Sequence, residues 1–178
     1  MRSRLDDATK HALVEALRHE RIPCPARGLE LVVYTEEAVR TASADPGYEL
    51  DLNTGETMPF RASFDDADAD RHWYVIDRAI AREHGIALHG RRARRLFAEI
   101  PRAVLIDALA ASIEWHREAG QREQENASRN AARAVRFAEQ GIWSSKNAAT
   151  QWVDADITGD DFLAEALARV RAAGDGGL

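Results

Sequence analysis

The stretch SRNAARAVRFAEQGIWSSKNAATQW, residues 128–152, decides how the rest of this chain is read. Ala127, Ala131, Ala134, Val135 and Ala138 recur at helical spacing. They form one stripe of small apolar side chains that lets a neighbouring helix approach closely. Glu123, Asn126, Asn130, Arg133 and Phe137 share another face, and the pattern predicts a helix over residues 121–140 that ends at Gly141. Two asparagines inside a helix cost propensity, because their side chains compete for backbone partners. Such a polar stripe suits a ligand cleft or a solvated outer face, and periodicity leaves both open. Beyond Gly141, Ser144 or Ser145 can cap a short helix over residues 145–154. Lys146 then stands at a helix start, where the dipole favours anions. Either a bound anion bridges the lysine and the helix start, or the side chain swings into water.

Working outward, helices follow from apolar spacing at residues 5–20, 71–84, 91–97, a segment opened by Pro101, and an amphipathic last segment carrying Phe162, Leu163, Ala166, Leu167 and Val170. GLELVVYT (28–35) and YELDL (48–52) read as strands, residues 56–70 as an acidic loop, and GDGGL as a frayed tail. The fold class expected is α+β, mostly helical. A small α/β part occupies residues 1–100 and a helical part residues 101–178. Two strands alone are marginal in water, so the sheet needs further strands or a cover.

Composition narrows the function classes. The chain has 178 residues, a net charge of -6 and one cysteine, Cys24. An acidic chain is a poor general nucleic-acid binder, since affinity for phosphate backbones comes from clustered Lys and Arg. The run Arg91, Arg92, Arg94 and Arg95 reads as a solvated helix face. A cationic small molecule suits the overall charge better. No window approaches the roughly 20 apolar residues of a membrane span. The expected compartment is the cytoplasm, and the oligomeric state is not legible.

Strand alternation puts Leu29, Leu31 and Val33 on one face and Glu30, Val32 and Tyr34 on the other. Glu30 is therefore a candidate general base or an edge-strand charge facing water. Asp66, Asp68 and Asp70 lack the glycine and glutamate of a calcium loop and read as solvated. The histidines show no metal spacing. Trp73, Trp115, Trp143 and Trp152 read as core anchors.

Four stretches resemble the bacterial aminoglycoside adenylyltransferases, specifically the streptomycin/spectinomycin 3''-adenylyltransferase group: RLDDATKHALVEAL, RGLELVVYT, AREHGIALHG and SRNAARAVRFAEQGIWSSKNAATQW. The resemblance implies a partial nucleotidyltransferase lobe followed by a helical bundle. It also implies transfer of AMP from ATP, with Mg²⁺, to an aminoglycoside hydroxyl, which confers resistance to the antibiotic. By position, Glu30 corresponds to the catalytic base, Arg133 and Lys146 to nucleotide contacts, and Glu123, Asn126 and Asn130 to the antibiotic-lining helix. The family's Gly-Ser turn and Asp-x-Asp metal pair would precede residue 1, and its substrate-stacking Trp falls near Gly55, where this chain has none. The expectation is a chain missing its first strands, weak or inactive by itself, with no metal ligands assigned. The alternatives are a non-catalytic binder of nucleotide or cationic ligand, or a helical interaction module.

Overall fold

The computed structural model describes residues 4–22, 26–67, 69–119, 124–153 and 160–176. Cys24, Asp68 and Glu123 lie outside them. The elements run α1 (Asp7–Leu17), β1 (Leu29–Tyr34), α2 (Glu36–Arg40), β2 (Tyr48–Thr54), β3 (Arg61–Ser63), α3 (Arg71–His84), α4 (Ala93–Leu96), α5 (Arg102–Ala119), α6 (Gln124–Gln140), α7 (Lys146–Val153) and α8 (Asp160–Asp175). The chain is α+β and mostly helical, as the patterning predicts.

The sheet is antiparallel in the order β1-β2-β3, with Glu30 opposite Asn53 and Asp51 opposite both Val32 and Ser63. Three strands replace the two expected. β3 covers only Arg-Ala-Ser, too short for alternation to register, and it sits inside the segment read as an acidic loop. The five-residue helix α2, capped by Thr35 and carrying Glu36 and Glu37 in its first turn, also escapes a periodicity argument. In the opposite direction, GDGGL is not wholly a tail, because α8 continues to Asp175.

Two separate apolar clusters hold these elements. Val14 of α1 meets Leu50 and Leu52 of β2, with Leu31, Val33 and Leu17 around them. The alternation in β1 is thereby realised: Leu31 and Val33 turn towards α1, while Glu30 is exposed. Glu49 ties the same two elements, accepting from the Leu5 N–H at 3.2 Å and lying 3.5 Å from Lys10 Nζ. The larger cluster gathers Val75, Ile76 and Ala79 of α3 with Leu105, Ile106, Leu109 and Ile113 of α5, the alanine stripe of α6, and Phe162, Leu163, Ala166, Leu167 and Val170 of α8. Ala132, Ala138 and Ala166 are each 0 % exposed, so the small residues let the helices close against each other as the sequence predicts. No described helix is long and apolar enough to cross a membrane.

Candidate functional site

α6 carries the site because it is packed on more than one side. Its polar stripe is not an outer face: among the described members Asn130 and Phe137 are buried, Arg133 is half-buried and Asn126 is exposed. Asn130 holds two neighbours, placing Nδ2 3.0 Å from His116 Nε2 on α5 and accepting at Oδ1 from Arg133 Nη2 at 3.3 Å. It therefore positions the guanidinium, and its own amide is engaged within the protein.

The turn after α6 fixes Lys146. Gly141 adopts φ +69°, a conformation that side chains disfavour and that reverses the chain here. Phe137 stacks on Trp143 with centroids 4.0 Å apart, and Arg136 Nη1 donates to the Ala148 carbonyl at 3.2 Å. Of the two candidate caps, Ser145 does the capping: its Oγ accepts from the Ala148 N–H at 3.2 Å. Lys146 opens α7 and its Nζ donates to Asn126 Oδ1 on α6 at 2.6 Å. The lysine thus turns towards α6. Replacing Ser145 with alanine should remove about 1 kcal/mol of capping. Thermal melts should show this as a midpoint lower by about 2–4 °C for a chain of this size.

Facing these cations is a carboxylate that the sequence reading missed. Asp77, on α3, feels the charges of Arg133 and Lys146, which hold it ionised, and of Glu30 and Asp51, which oppose ionisation. Four charges from four other elements thus act on Asp77: Glu30 (β1), Asp51 (β2), Arg133 (α6) and Lys146 (α7). Asp77 is open to solvent, yet the surrounding walls displace enough water that burial, the largest influence, pushes its carboxyl up from 3.8 to about 6. Burial pushes the Arg133 guanidinium down, and Asp77 opposes that.

The raised value sets a sign for stability. Between 3.8 and about 6 the folded chain keeps a proton on Asp77 that the unfolded chain has released, so stability falls as pH rises through that window. Asp77→Asn should abolish this fall. Its melting-temperature advantage over wild type should grow from about pH 4 to about pH 7, and a flat difference would contradict the assignment.

A cavity of about 500 Å³ is lined by Tyr48, Trp73, Tyr74 and Trp115, with Arg61, Asp65 and Asp70 among its polar groups. Trp73 and Trp115 are thus half-buried cavity walls, whereas Trp143 is a core anchor as expected. Histidines far apart in sequence also converge here. The rings of His72 and His116 both contact Trp73 and Trp115. Two of the cavity's lining residues are tied to β2 through Asp51, whose Oδ2 accepts from Arg61 Nη2 at 2.6 Å and from the Tyr74 hydroxyl at 2.5 Å. The signals that could have located this region were Tyr74 and Asp77, spaced i,i+3 on α3 and hence on one face.

Divalent-metal chemistry finds no donor set here. Among the described residues no three acidic, histidine or cysteine side chains gather to hold a metal ion. Asp51 is spent on Arg61 and Tyr74. In the acidic loop, Asp65 forms a turn by accepting from the Ala67 N–H at 3.0 Å, and Asp66 ties the loop to the segment before β2 by accepting from the Gly47 N–H at 2.8 Å.

Compared with known families, residues 95–175 match the model described as the aminoglycoside adenylyltransferase C-terminal domain. No curated protein matches the chain. The matched residues contain α5, α6, α7 and α8, and so Asn126, Asn130, Arg133 and Lys146.

Proposed function

Because residues 95–175 match the aminoglycoside adenylyltransferase C-terminal domain, we propose that the chain is a member of that family and that Glu30, Arg133 and Lys146 belong to an aminoglycoside-nucleotidyltransferase site. In this reading the site takes ATP on one side and a cationic, hydroxyl-rich antibiotic on the other. The observation that carries the reading is a basic wall within the matched residues, Arg133 bonded to Asn130 at 3.3 Å and Lys146 to Asn126 at 2.6 Å, together with the exposed carboxylate Glu30. Polyphosphate fits the first, as the guanidinium is preorganised by Asn130 and the ammonium stands at the start of α7, where the helix dipole adds positive potential.

Glu30 is the proton acceptor in this scheme. It is a solvent-reachable carboxylate on a strand, held at fixed height by Leu31 and Val33 beneath the sheet, and it can accept a proton from an antibiotic hydroxyl that attacks the α-phosphate. In this scheme the aromatic cavity receives the antibiotic: Trp73, Trp115 and Tyr48 offer faces for sugar rings and cations, and Asp65 and Asp70 offer charge. Glu123, at the antibiotic side of α6 in this assignment, lies outside the described residues. Among the described residues no three carboxylate, histidine or cysteine side chains gather to hold a magnesium ion. We therefore expect the chain by itself to bind ATP but to transfer AMP weakly or not at all.

Incubation with ATP, Mg²⁺ and either streptomycin or spectinomycin tests both halves of this statement. ATP binding by calorimetry, weakened in Lys146→Ala, without antibiotic-dependent pyrophosphate release is the expected outcome. Vigorous release by these 178 residues alone would overturn the expectation of weak transfer. Absence of ATP binding would overturn the nucleotide reading.

A further inference from the structure

Arg133, Asn130 and His116 form a line of side chains whose hydrogen bonds can run in one direction only. A guanidinium donates and never accepts. The Asn130 atom that meets Arg133 Nη2 at 3.3 Å is accordingly the carbonyl oxygen Oδ1, and the amide nitrogen Nδ2 is turned the other way, to His116 Nε2 at 3.0 Å. An amide nitrogen likewise only donates. His116 Nε2 must therefore accept, which requires a neutral ring with its proton on Nδ1. His116 on α5 is 3 % exposed and Asn130 on α6 is 9 % exposed, so the bond between them is buried and water does not stand in for either partner.

The ring that accepts is itself held from two sides. Trp73 on α3 meets His116 edge-on with centroids 5.4 Å apart, and Trp115, its neighbour on α5, does so at 5.1 Å. Both tryptophans line the cavity of about 500 Å³. Packing against them would be served by any flat ring. What histidine adds is the acceptor atom, and that atom is the one spent on Asn130.

We propose that His116 is a positioning residue for Arg133: by accepting from Asn130 Nδ2 it sets which end of the amide faces the guanidinium, and so holds Arg133 ready for an anion. That the anion is the phosphate chain of ATP rests on the function proposed above; the orientation of the amide does not. Without an acceptor at position 116 the amide is free to turn, and an NH₂ group that faces Arg133 brings donor against donor. The guanidinium then loses its anchor and must be ordered when the anion arrives, at a cost to affinity. With the acceptor in place that ordering is done in advance.

The experiment combines calorimetry of ATP and of inorganic tripolyphosphate with nitrogen NMR of the labelled His116 ring. Circular dichroism checks that each variant is folded. His116→Phe keeps a ring between the tryptophans and removes the acceptor; it is expected to weaken both probes about 2- to 10-fold, the scale of one buried neutral hydrogen bond. His116→Gln restores an acceptor oxygen and should recover most of the loss. In the wild type at neutral pH the ring should carry its proton on Nδ1 and none on Nε2. In Asn130→Asp, where only acceptor oxygens face the ring, Nε2 should gain a proton. Wild-type Nε2 found protonated at neutral pH overturns the proposal without reference to any variant. Unchanged affinity in folded His116→Phe, or a loss that His116→Gln leaves in full, also overturns it, and leaves the nucleotide reading intact. Tripolyphosphate binding that weakens in His116→Phe and recovers in His116→Gln, with no ATP binding by any of these proteins, upholds the positioning and rejects ATP as the ligand. Failure of both probes to bind the wild type overturns both.

Discussion

Leu52→Ala is expected to release the sheet, and Glu30 with it, while the helical core stays folded. Leu50 and Leu52 are each 0 % exposed, and with Val14 they are the only fully buried members of the sheet's apolar cluster among the described residues. Truncating a buried leucine to alanine costs about 2–5 kcal/mol. Three strands and one helix cannot hold much more than that in reserve. The helical cluster is separate, with its own buried residues on α3, α5, α6, α7 and α8. Hydrogen exchange should then show the amides of β1 and β2 losing protection while those of α5, α6 and α8 keep theirs. Far-UV circular dichroism should remain largely helical. Ile113→Ala, at a position 1 % exposed in the helical cluster, should do the reverse and lower the main thermal transition. Equal loss of protection in α6 and β2 after Leu52→Ala would instead mean that the two clusters unfold as one unit.

How far the chain was legible follows from the length of each signal. α3, over Arg71–His84, and α5, with Leu105, Ile106, Leu109 and Ile113 inward, carry several turns of periodicity, and their readings hold. β1 alternates over six residues and its faces follow. β3 and α2 are shorter than one period of evidence can resolve. The limits at the site have a different origin. Arg133, Lys146 and Asn126 were legible because they lie close together on consecutive helices; the ion-dipole conflict at Lys146 was visible in the sequence itself. Asp77 was not, because what singles it out is the charge brought by four other elements, and no spacing within α3 encodes that. Nor could the convergence of His72 and His116 be read from residues 44 positions apart. Periodicity gave Asn130 a place on the stripe without showing that the stripe would be buried, which turns a candidate ligand contact into a residue that holds Arg133.

Arg133→Ala should have the largest effect on nucleotide binding. The guanidinium is half-buried and anchored through Asn130, so little side-chain freedom remains to be lost when phosphate arrives. A hydrogen bond to a charged group contributes about 1.5–3 kcal/mol, which corresponds to a Kd for ATP raised about 10- to 100-fold. Arg133→Lys should recover only part of this, because an ammonium cannot reproduce the planar fork that grips phosphate oxygens. Asn130→Ala should fall between wild type and Arg133→Ala, since it frees the guanidinium without removing it. The loss in Arg133→Ala divides between the missing donor and any repulsion of phosphate by the Asp77 carboxylate, whose charge the guanidinium offsets. The double variant Arg133→Ala/Asp77→Asn separates them. If both operate, it binds ATP more tightly than Arg133→Ala alone and less tightly than wild type. If it matches Arg133→Ala, Asp77 exerts no repulsion of its own and the whole loss belongs to the donor. Unchanged ATP affinity in a folded Arg133→Ala would remove Arg133 from the nucleotide site altogether.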